Sequence, residues 1–321
     1  MLAVTRFAAR RLLRALLTVW FAVTVTFLLL RLLPGDPALA IADPGMTEEL
    51  RAKLLADYGL DRSLAVQYWE FLRQLVQGNL GISFRQSQPV LDVLLQRFPW
   101  TLLLTFSAMA VTVLLGVPLA VAAATRAGRL TDRLVQVAGV TGQALFVPTV
   151  GILLLYVFGV VLGWLPIGGA TDDDAHGLAA VGGVARHLVL PCLSLVLVQI
   201  GGYVLTLRTT LIDALGEDYC ELARAKGLKY RRVVWRHALR NALLPATTVA
   251  GVQIGLLMGG AVLTETIFSY PGVGRAVYEA VGQLDYPVLQ GAFLMLALAV
   301  IVANLLTDLV YGLLDPRVRV T

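Results

Sequence analysis

Of the chain's 321 residues, 58% are hydrophobic and only 15% are charged, against about 25% charged in an ordinary soluble domain. At this length there is room for several membrane spans plus one extramembrane segment, so length does not imply two soluble domains. The net charge of +5 does not indicate nucleic-acid binding, because the arginines flank apolar spans instead of gathering on one soluble face. The two cysteines, Cys192 and Cys220, form no disulfide framework or metal-ligand spacing, and His176, His187 and His237 are scattered, so no metal site is expected.

In chain order, Arg6, Arg10, Arg11 and Arg14 precede an apolar run from Ala15 to Leu30. The run is longer than a signal-peptide core and no small-residue cleavage site follows. Arg14 and Arg31 can snorkel at its ends, so it reads as a retained first span. A span needs about 20 mainly apolar residues. Six regions qualify: 12–33, 100–124, 134–163, 187–207, 242–264 and 287–310. Backbone groups in lipid must be satisfied within the segment, and no ten-residue alternation suggests a barrel. The fold class is therefore an all-α integral membrane protein with six transmembrane helices.

Between the first two spans, Pro34 and Pro37 stop the first helix, and helical spacing returns over 47–58 and over 64–76. Thr47 reads as an N-cap and Gly59 as a stop. Pro118 and Pro148 are expected to kink their helices, and Gly255, Gly259 and Gly260 to allow close helix packing. The chain holds no internal repeat and no low-complexity tract.

Arginine and lysine set the sidedness. Arg6 to Arg14, Arg126 to Arg133, the run 208–240, and Arg317 with Arg319 all fall on one side if the N-terminus is inside. The positive-inside rule then places both termini in the cytoplasm and the long 34–98 segment outside. The expected organisation is 1–33, N-terminal segment and first span; 34–98, extracytoplasmic subdomain; 99–313, five-span core including the 208–240 cytoplasmic loop; and 314–321, cytoplasmic tail.

That loop carries the densest pattern in the chain, Gly216-Glu-Asp-Tyr-Cys-Glu-Leu-Ala-Arg-Ala-Lys-Gly227. Asp213 or Asp218 is placed to cap a helix start. Tyr219, Leu222, Ala223 and Lys226 fall on one helical face, and Gly227 suits a left-handed stop. A basic second helix follows, with Arg231, Arg232, Arg236 and Arg240. The residues alone allow two readings: a knob that docks on a partner, or an interfacial helix held to anionic lipid.

Covalent chemistry finds no support. The only lysines are Lys53, Lys226 and Lys229, and none completes a phosphate-cradling loop. No nucleophile elbow or zinc-binding helix occurs. The spans hold no acidic residue near a midplane, which opposes a proton-coupled carrier. Gln143, Gln199, Gln253 and Asn304 are amides well inside the spans; they line a polar path or bond helix to helix. The loop from Glu265 to Arg275, with Tyr270, Pro271, Gly272 and Gly274, is turn-rich and reads as an outer gate or as a connecting hairpin.

Several stretches resemble the dipeptide/oligopeptide/nickel branch of ABC transporter permeases. They are Leu32-Leu-Pro-Gly-Asp-Pro-Ala38, Tyr58-Gly-Leu-Asp61 with Gln67-Tyr68, Gly78-Asn-Leu-Gly-Ile-Ser83, Ala223-Arg-Ala-Lys-Gly-Leu228 with Arg236-His-Ala-Leu-Arg-Asn-Ala-Leu-Leu-Pro245, Glu265-Thr-Ile-Phe-Ser-Tyr-Pro-Gly-Val-Gly-Arg275, Asp285-Tyr-Pro287 and Asp308-Leu-Val-Tyr-Gly-Leu-Leu-Asp-Pro-Arg317. Ser63 stands where the family has proline, Asn79 where it has aspartate, and Leu222 replaces the second residue of the EAA loop pattern.

The resemblance implies a type I importer fold and a subunit forming half of a translocation pathway for di- or oligopeptides. Nickel and glutathione-type solutes are the alternatives within the family, and an ion-coupled secondary carrier is the alternative outside it. It implies ATPase coupling through Tyr219, Glu221, Leu222, Ala223, Arg224, Lys226 and Gly227, with Gln143, Gln199, Gln253, Asn304, Glu265 and Tyr270 as pathway or gate candidates. The implied partners are a second permease, two ATPase subunits that bind ATP and Mg, and an extracytoplasmic binding protein. This chain would carry no cofactor of its own, and its site would be a bacterial or archaeal cytoplasmic membrane.

Overall fold

The computed structural model describes residues 13–14, 16–28, 62–171 and 177–314. Pro34, Pro37, the helix expected over 47–58, Gly59, His176 and the 32–38 motif lie outside the described residues. The described chain is helical, with no strand and one isolated bridge between Ile82 and Pro89. The helices are α1 (Leu16–Leu28), α2 (Leu64–Val76), α3 (Val90–Ala124), α4 (Leu130–Ala144) and α5 (Val147–Leu154, continuing as a π-helix over Leu155–Val161). Then follow α6 (Leu178–Gly216), α7 (Asp218–Ala225), α8 (230–267), α9 (Val273–Gln283) and α10 (Tyr286–Leu314). Within α8, Val233–Ala238 is π-helical and Leu239–Ile267 is α-helical.

Four of the described helices are long and apolar enough to cross a membrane: α3, α6, α8 and α10. The region expected as one span over 134–163 is instead two helices meeting at 99°. The cause is local. Pro148 has no N–H for the carbonyl four residues back, and Leu145 and Phe146 take extended conformations at the break. The bent pair is the fifth candidate span, and the described part of α1 is shorter than a span. Two helices outrun their expected spans. α3 begins at Val90, not near 100. At 39 residues and 1.5 Å per residue, α6 extends roughly 58 Å, well beyond a hydrocarbon core of about 30 Å.

The chain divides into two compact units. One is drawn from the chain up to Thr101 together with Pro271–Ile301. In it, Phe27 of α1 stacks on Phe71 of α2 with ring centroids 5.8 Å apart, and Thr24 Oγ1 lies 2.7 Å from the Tyr68 hydroxyl. Its core joins Val90 and Leu94 to Val273, Val277, Tyr286, Leu289 and Ala292. The buried carboxylate of Asp285 ties two of the family-like motifs together. It accepts hydrogen bonds from Ser83 Oγ, from Phe84 N at 3.2 Å and from Val288 N at 3.5 Å, so it caps α10 and anchors the 83–89 turn at once.

The other unit comprises Leu102–Tyr270 and the chain from Val302 onward. Here α4 and α6 touch backbone to backbone. A Cβ on Gly201 would lie 2.1 Å from the Gly139 carbonyl oxygen, and one on Gly142 would lie 2.8 Å from that of Leu197. A Cβ on Gly251 would meet the Thr307 side chain at 2.2 Å. Small residues thus set the helix contacts, as expected in membranes, but not at Gly259, beside which there is open space. Asp132 at the start of α4 is buried and paired with Arg208 of α6, whose Nη2 donates to Asp132 Oδ2 at 2.6 Å and whose Nε donates to Oδ1. The Gly128 amide donates to the same carboxylate at 2.8 Å.

Candidate functional site

The eight residues of α7 form the best-defined polar feature. Its N-cap is Glu217, not Asp213 or Asp218: Asp213 lies within α6, Asp218 is the first helical residue, and no side chain caps the helix. Asp218 and Glu221 in the first turn still complement the positive end of the helix dipole. The helix closes with a Schellman arrangement. Leu228 N donates to Ala223 O at 3.3 Å, Gly227 N donates to Arg224 O at 2.9 Å, and Gly227 has φ +76°. Arg224 reaches back to donate to the Leu215 carbonyl, satisfying an acceptor left open by the last turn of α6.

The face expected from spacing divides. Ala223 is buried, Tyr219 is half-buried with its hydroxyl bonded to Asn241, and Leu222 and Lys226 are exposed. The inward stripe is Cys220 with Ala223, three residues apart. They pack into a core shared by Ala120 and Val121 of α3, Leu207 and Leu211 of α6, and Val233, Val234 and Ala238 of α8. Burial pushes the Cys220 thiol above the ordinary cysteine range, and burial likewise raises the Tyr219 hydroxyl against the opposing pull of Asn241. The outward face shows Leu222, 57% exposed, between Glu221 and Lys226. A bare leucine ringed by charge on a short, doubly pinned helix is suited to entering a partner's apolar pocket. Being sealed into one core with three long helices, α7 cannot shift without loading them.

The second set of candidates separates into groups. Gln143 of α4, Gln199 of α6 and Gln253 of α8 converge. A Cβ on Gly202 would lie 3.4 Å from both Gln143 Oε1 and Gln253 Nε2, and Gln253 Nε2 donates to the Gln199 backbone oxygen at 3.5 Å. Glu265 and Tyr270 are wholly buried at the end of α8, about 18 Å along its axis from Gln253 at 1.5 Å per residue. Tyr270 N donates to Glu265 O at 2.8 Å, and the adjoining Phe268 carbonyl accepts from Gly169 N at 3.0 Å. This loop is a packed corner, and its tyrosine does not project as a free side chain. Asn304 is exposed on α10.

The Asp132–Arg208 pair and the Cys220 anchor were not singled out from sequence. Arg208, the first charge after an uncharged span, and Asp132, four residues after the Gly128 turn, carried the available signal.

A helical protein with several helices long and apolar enough to cross a membrane belongs to the class of multi-span membrane proteins. Comparison with known proteins narrows this. Residues 116–320 match the family described as binding-protein-dependent transport system inner membrane component, and residues 4–105 match its N-terminal counterpart. The chain belongs to this family, as its motifs indicated.

Among curated relatives, the di/tripeptide transport system permease protein DppB of Pseudomonas aeruginosa (strain UCBPP-PA14) is 39% identical over 98% of each chain. The dipeptide permease DppB of Escherichia coli (strain K12) is 37% identical over 92% of this chain and 93% of its own. The glutathione permease GsiC of Salmonella paratyphi A is 36% identical over 98% of each. A solved structure titled as inward-facing conformations of the MetNI methionine ABC transporter shares the fold. Its TM-score is 0.57 at 18% identity, covering 72% of this chain and all of the other.

Proposed function

We propose that this chain is one of two permease subunits of an ABC importer for di- or tripeptides, coupled through α7 to separate ATPase subunits. The observation that carries the coupling is the two-sidedness of α7: Cys220 and Ala223 are sealed into the core shared with α3, α6 and α8, while Leu222 stands exposed. ATP and Mg are bound by the partner ATPases, whose closure pushes α7 and, through that core, the three helices around it. A second related permease completes the pathway, and a binding protein delivers the solute. Both termini and the 208–240 loop face the cytoplasm, by the arginine bias. Glutathione is the second reading, favoured by the GsiC-type relatives; it is itself a peptide-like solute.

The test is co-purification of this chain with its partner subunits, followed by ATP hydrolysis and uptake assays over dipeptides, tripeptides, glutathione and nickel. The account expects hydrolysis stimulated by the loaded binding protein, and uptake of di- or tripeptides above the other solutes. Hydrolysis by this chain alone, or uptake indifferent to ATP, would refute it.

A further inference from the structure

The start of α8 differs in charge from α7, which precedes it. Glu217, Asp218 and Glu221 form the N-cap and first turn of α7, whereas no Asp or Glu occurs from Leu222 to Thr264. Lys229, Arg231, Arg232, Arg236 and Arg240 fall in that acid-free stretch, and all are exposed. Val233, Val234, Ala238 and Leu239 turn the other side of the same helix into the core. Arg232, Arg236 and Arg240 recur every four residues, so they form one row along the exposed side. Two large aromatic side chains are interleaved with the arginines: Tyr230 is 52% exposed and Trp235 46%. Basic residues mixed with exposed Trp and Tyr beside a span mark the level of lipid headgroups. The backbone here widens into a π-helix over Val233–Ala238, a distortion that recurs at functional sites.

Helix length fixes the depth of the row. The uncharged stretch 241–264 runs on from Arg240 and is roughly 36 Å long at 1.5 Å per residue, enough to cross a hydrocarbon core of about 30 Å. Arg240 then stands at the edge of that core, and Arg236 and Arg232 lie roughly one and two turns further out, within about 11 Å of it. The headgroup layer is about 5–8 Å deep on each side, and a flexible arginine side chain spans the remainder.

We infer that Arg232, Trp235, Arg236 and Arg240 form a headgroup site for anionic phospholipid of the cytoplasmic leaflet. The guanidinium row pairs with lipid phosphates, and Trp235 lies beside them at the boundary with the acyl chains. The acidic start of α7 is repelled by the same surface. Anchoring to lipid and docking on a partner therefore fall on different residues, the first on the start of α8 and the second on Leu222 of α7. The choice of leaflet rests on the cytoplasmic placement of 208–240 in the proposed function; the headgroup chemistry does not.

The test uses the purified complex with all its subunits, in nanodiscs of phosphatidylcholine with a minority of phosphatidylglycerol. Two sets of discs share one composition and one fraction of brominated lipid, and differ only in which lipid carries the bromine. The Trp235 signal is the difference in fluorescence between the parental chain and Trp235→Phe. Its quenching should report a local excess of phosphatidylglycerol of about tenfold, since each arginine near an anionic surface contributes up to roughly fivefold. Arg236→Gln should cut the excess several-fold, and Arg236→Lys should keep most of it. Salt at about 1 M, where the Debye length is about 3 Å, should bring the excess towards unity without any variant. Equal quenching by the two lipids, or an excess that neither salt nor Arg236→Gln reduces, overturns the site. Quenching by neither lipid means that a protein subunit covers this face, and overturns it as well. Discs expose both leaflets, so labelling of Lys229→Cys from outside the cell would overturn the cytoplasmic placement separately.

Discussion

Leu222→Arg is expected to abolish ATP-driven uptake while the chain still inserts and assembles with the second permease. The leucine is 57% exposed and contributes little to this chain's own core, so its replacement should leave the fold intact. An apolar anchor at the centre of an interface contributes on the order of 2 kcal/mol or more, roughly a thirtyfold loss of ATPase affinity. Arginine adds a charge that must be desolvated in the pocket, so the effect should exceed that of Leu222→Ala.

Gly227→Val probes the same helix through its backbone. No atom lies within 4 Å of the Cβ it would add, so the penalty comes from φ +76° alone, about 1–2 kcal/mol for a residue with a side chain. That strain falls on the Schellman end, displacing Lys226 and Leu228 and leaving the spans intact. Arg232→Gln, an exposed change on the neighbouring turn, should alter uptake less than twofold. Binding of the ATPase to detergent-solubilised permease, read beside uptake, separates lost docking from lost folding. Leu222→Arg with parental ATPase affinity would remove α7 as the contact.

The second large effect is on stability. Asp132→Ala should destabilise the chain by about 3 kcal/mol or more, because it leaves the Arg208 guanidinium, whose side chain is only 17% exposed, without its counter-ion. The Gly128 amide loses its acceptor at the same time. Asp132→Ala combined with Arg208→Met should recover most of the loss, since the penalty lies in the orphaned charge and the pair itself is worth little. Thermal unfolding in detergent reads both variants. A shift in the single variant equivalent to less than about 1 kcal/mol, or a double variant no better than the single, would show that the orphaned Arg208 charge is not the source of the loss.

The membrane character and the family were legible because they rest on long uncharged runs and on short motifs spread from residue 32 to residue 317. The helix over Leu64–Val76 was also legible, its apolar residues recurring at helical spacing. On α7, spacing marked a helical face but not which of its residues are buried. Tyr219, Leu222, Ala223 and Lys226 share a face on a helical wheel, but the helix rests on three neighbours, which bury Cys220 with Ala223 and leave Leu222 out. Pro148 was legible as a kink, but not as a right-angle break, because the size of the bend depends on the extended Leu145 and Phe146 that precede it. Glycine packing was legible in kind, but not at Gly259 and not in the pair of helices where it is closest. Gly259 faces open space, while Gly139, Gly142 and Gly201 bring two backbones together. The meeting of Ser83 with Asp285, 202 positions apart, had no local signature beyond an aspartate two residues before a proline.

The most direct test of the central claim places a single reactive thiol at Leu222, in a chain whose buried Cys192 and Cys220 are replaced by alanine. The account predicts no labelling of intact cells by a membrane-impermeant maleimide, strong labelling in inverted vesicles stripped of ATPase, and protection when purified ATPase subunits are added back. Labelling from outside the cell, or labelling in vesicles that is equal with and without the ATPases, would contradict it.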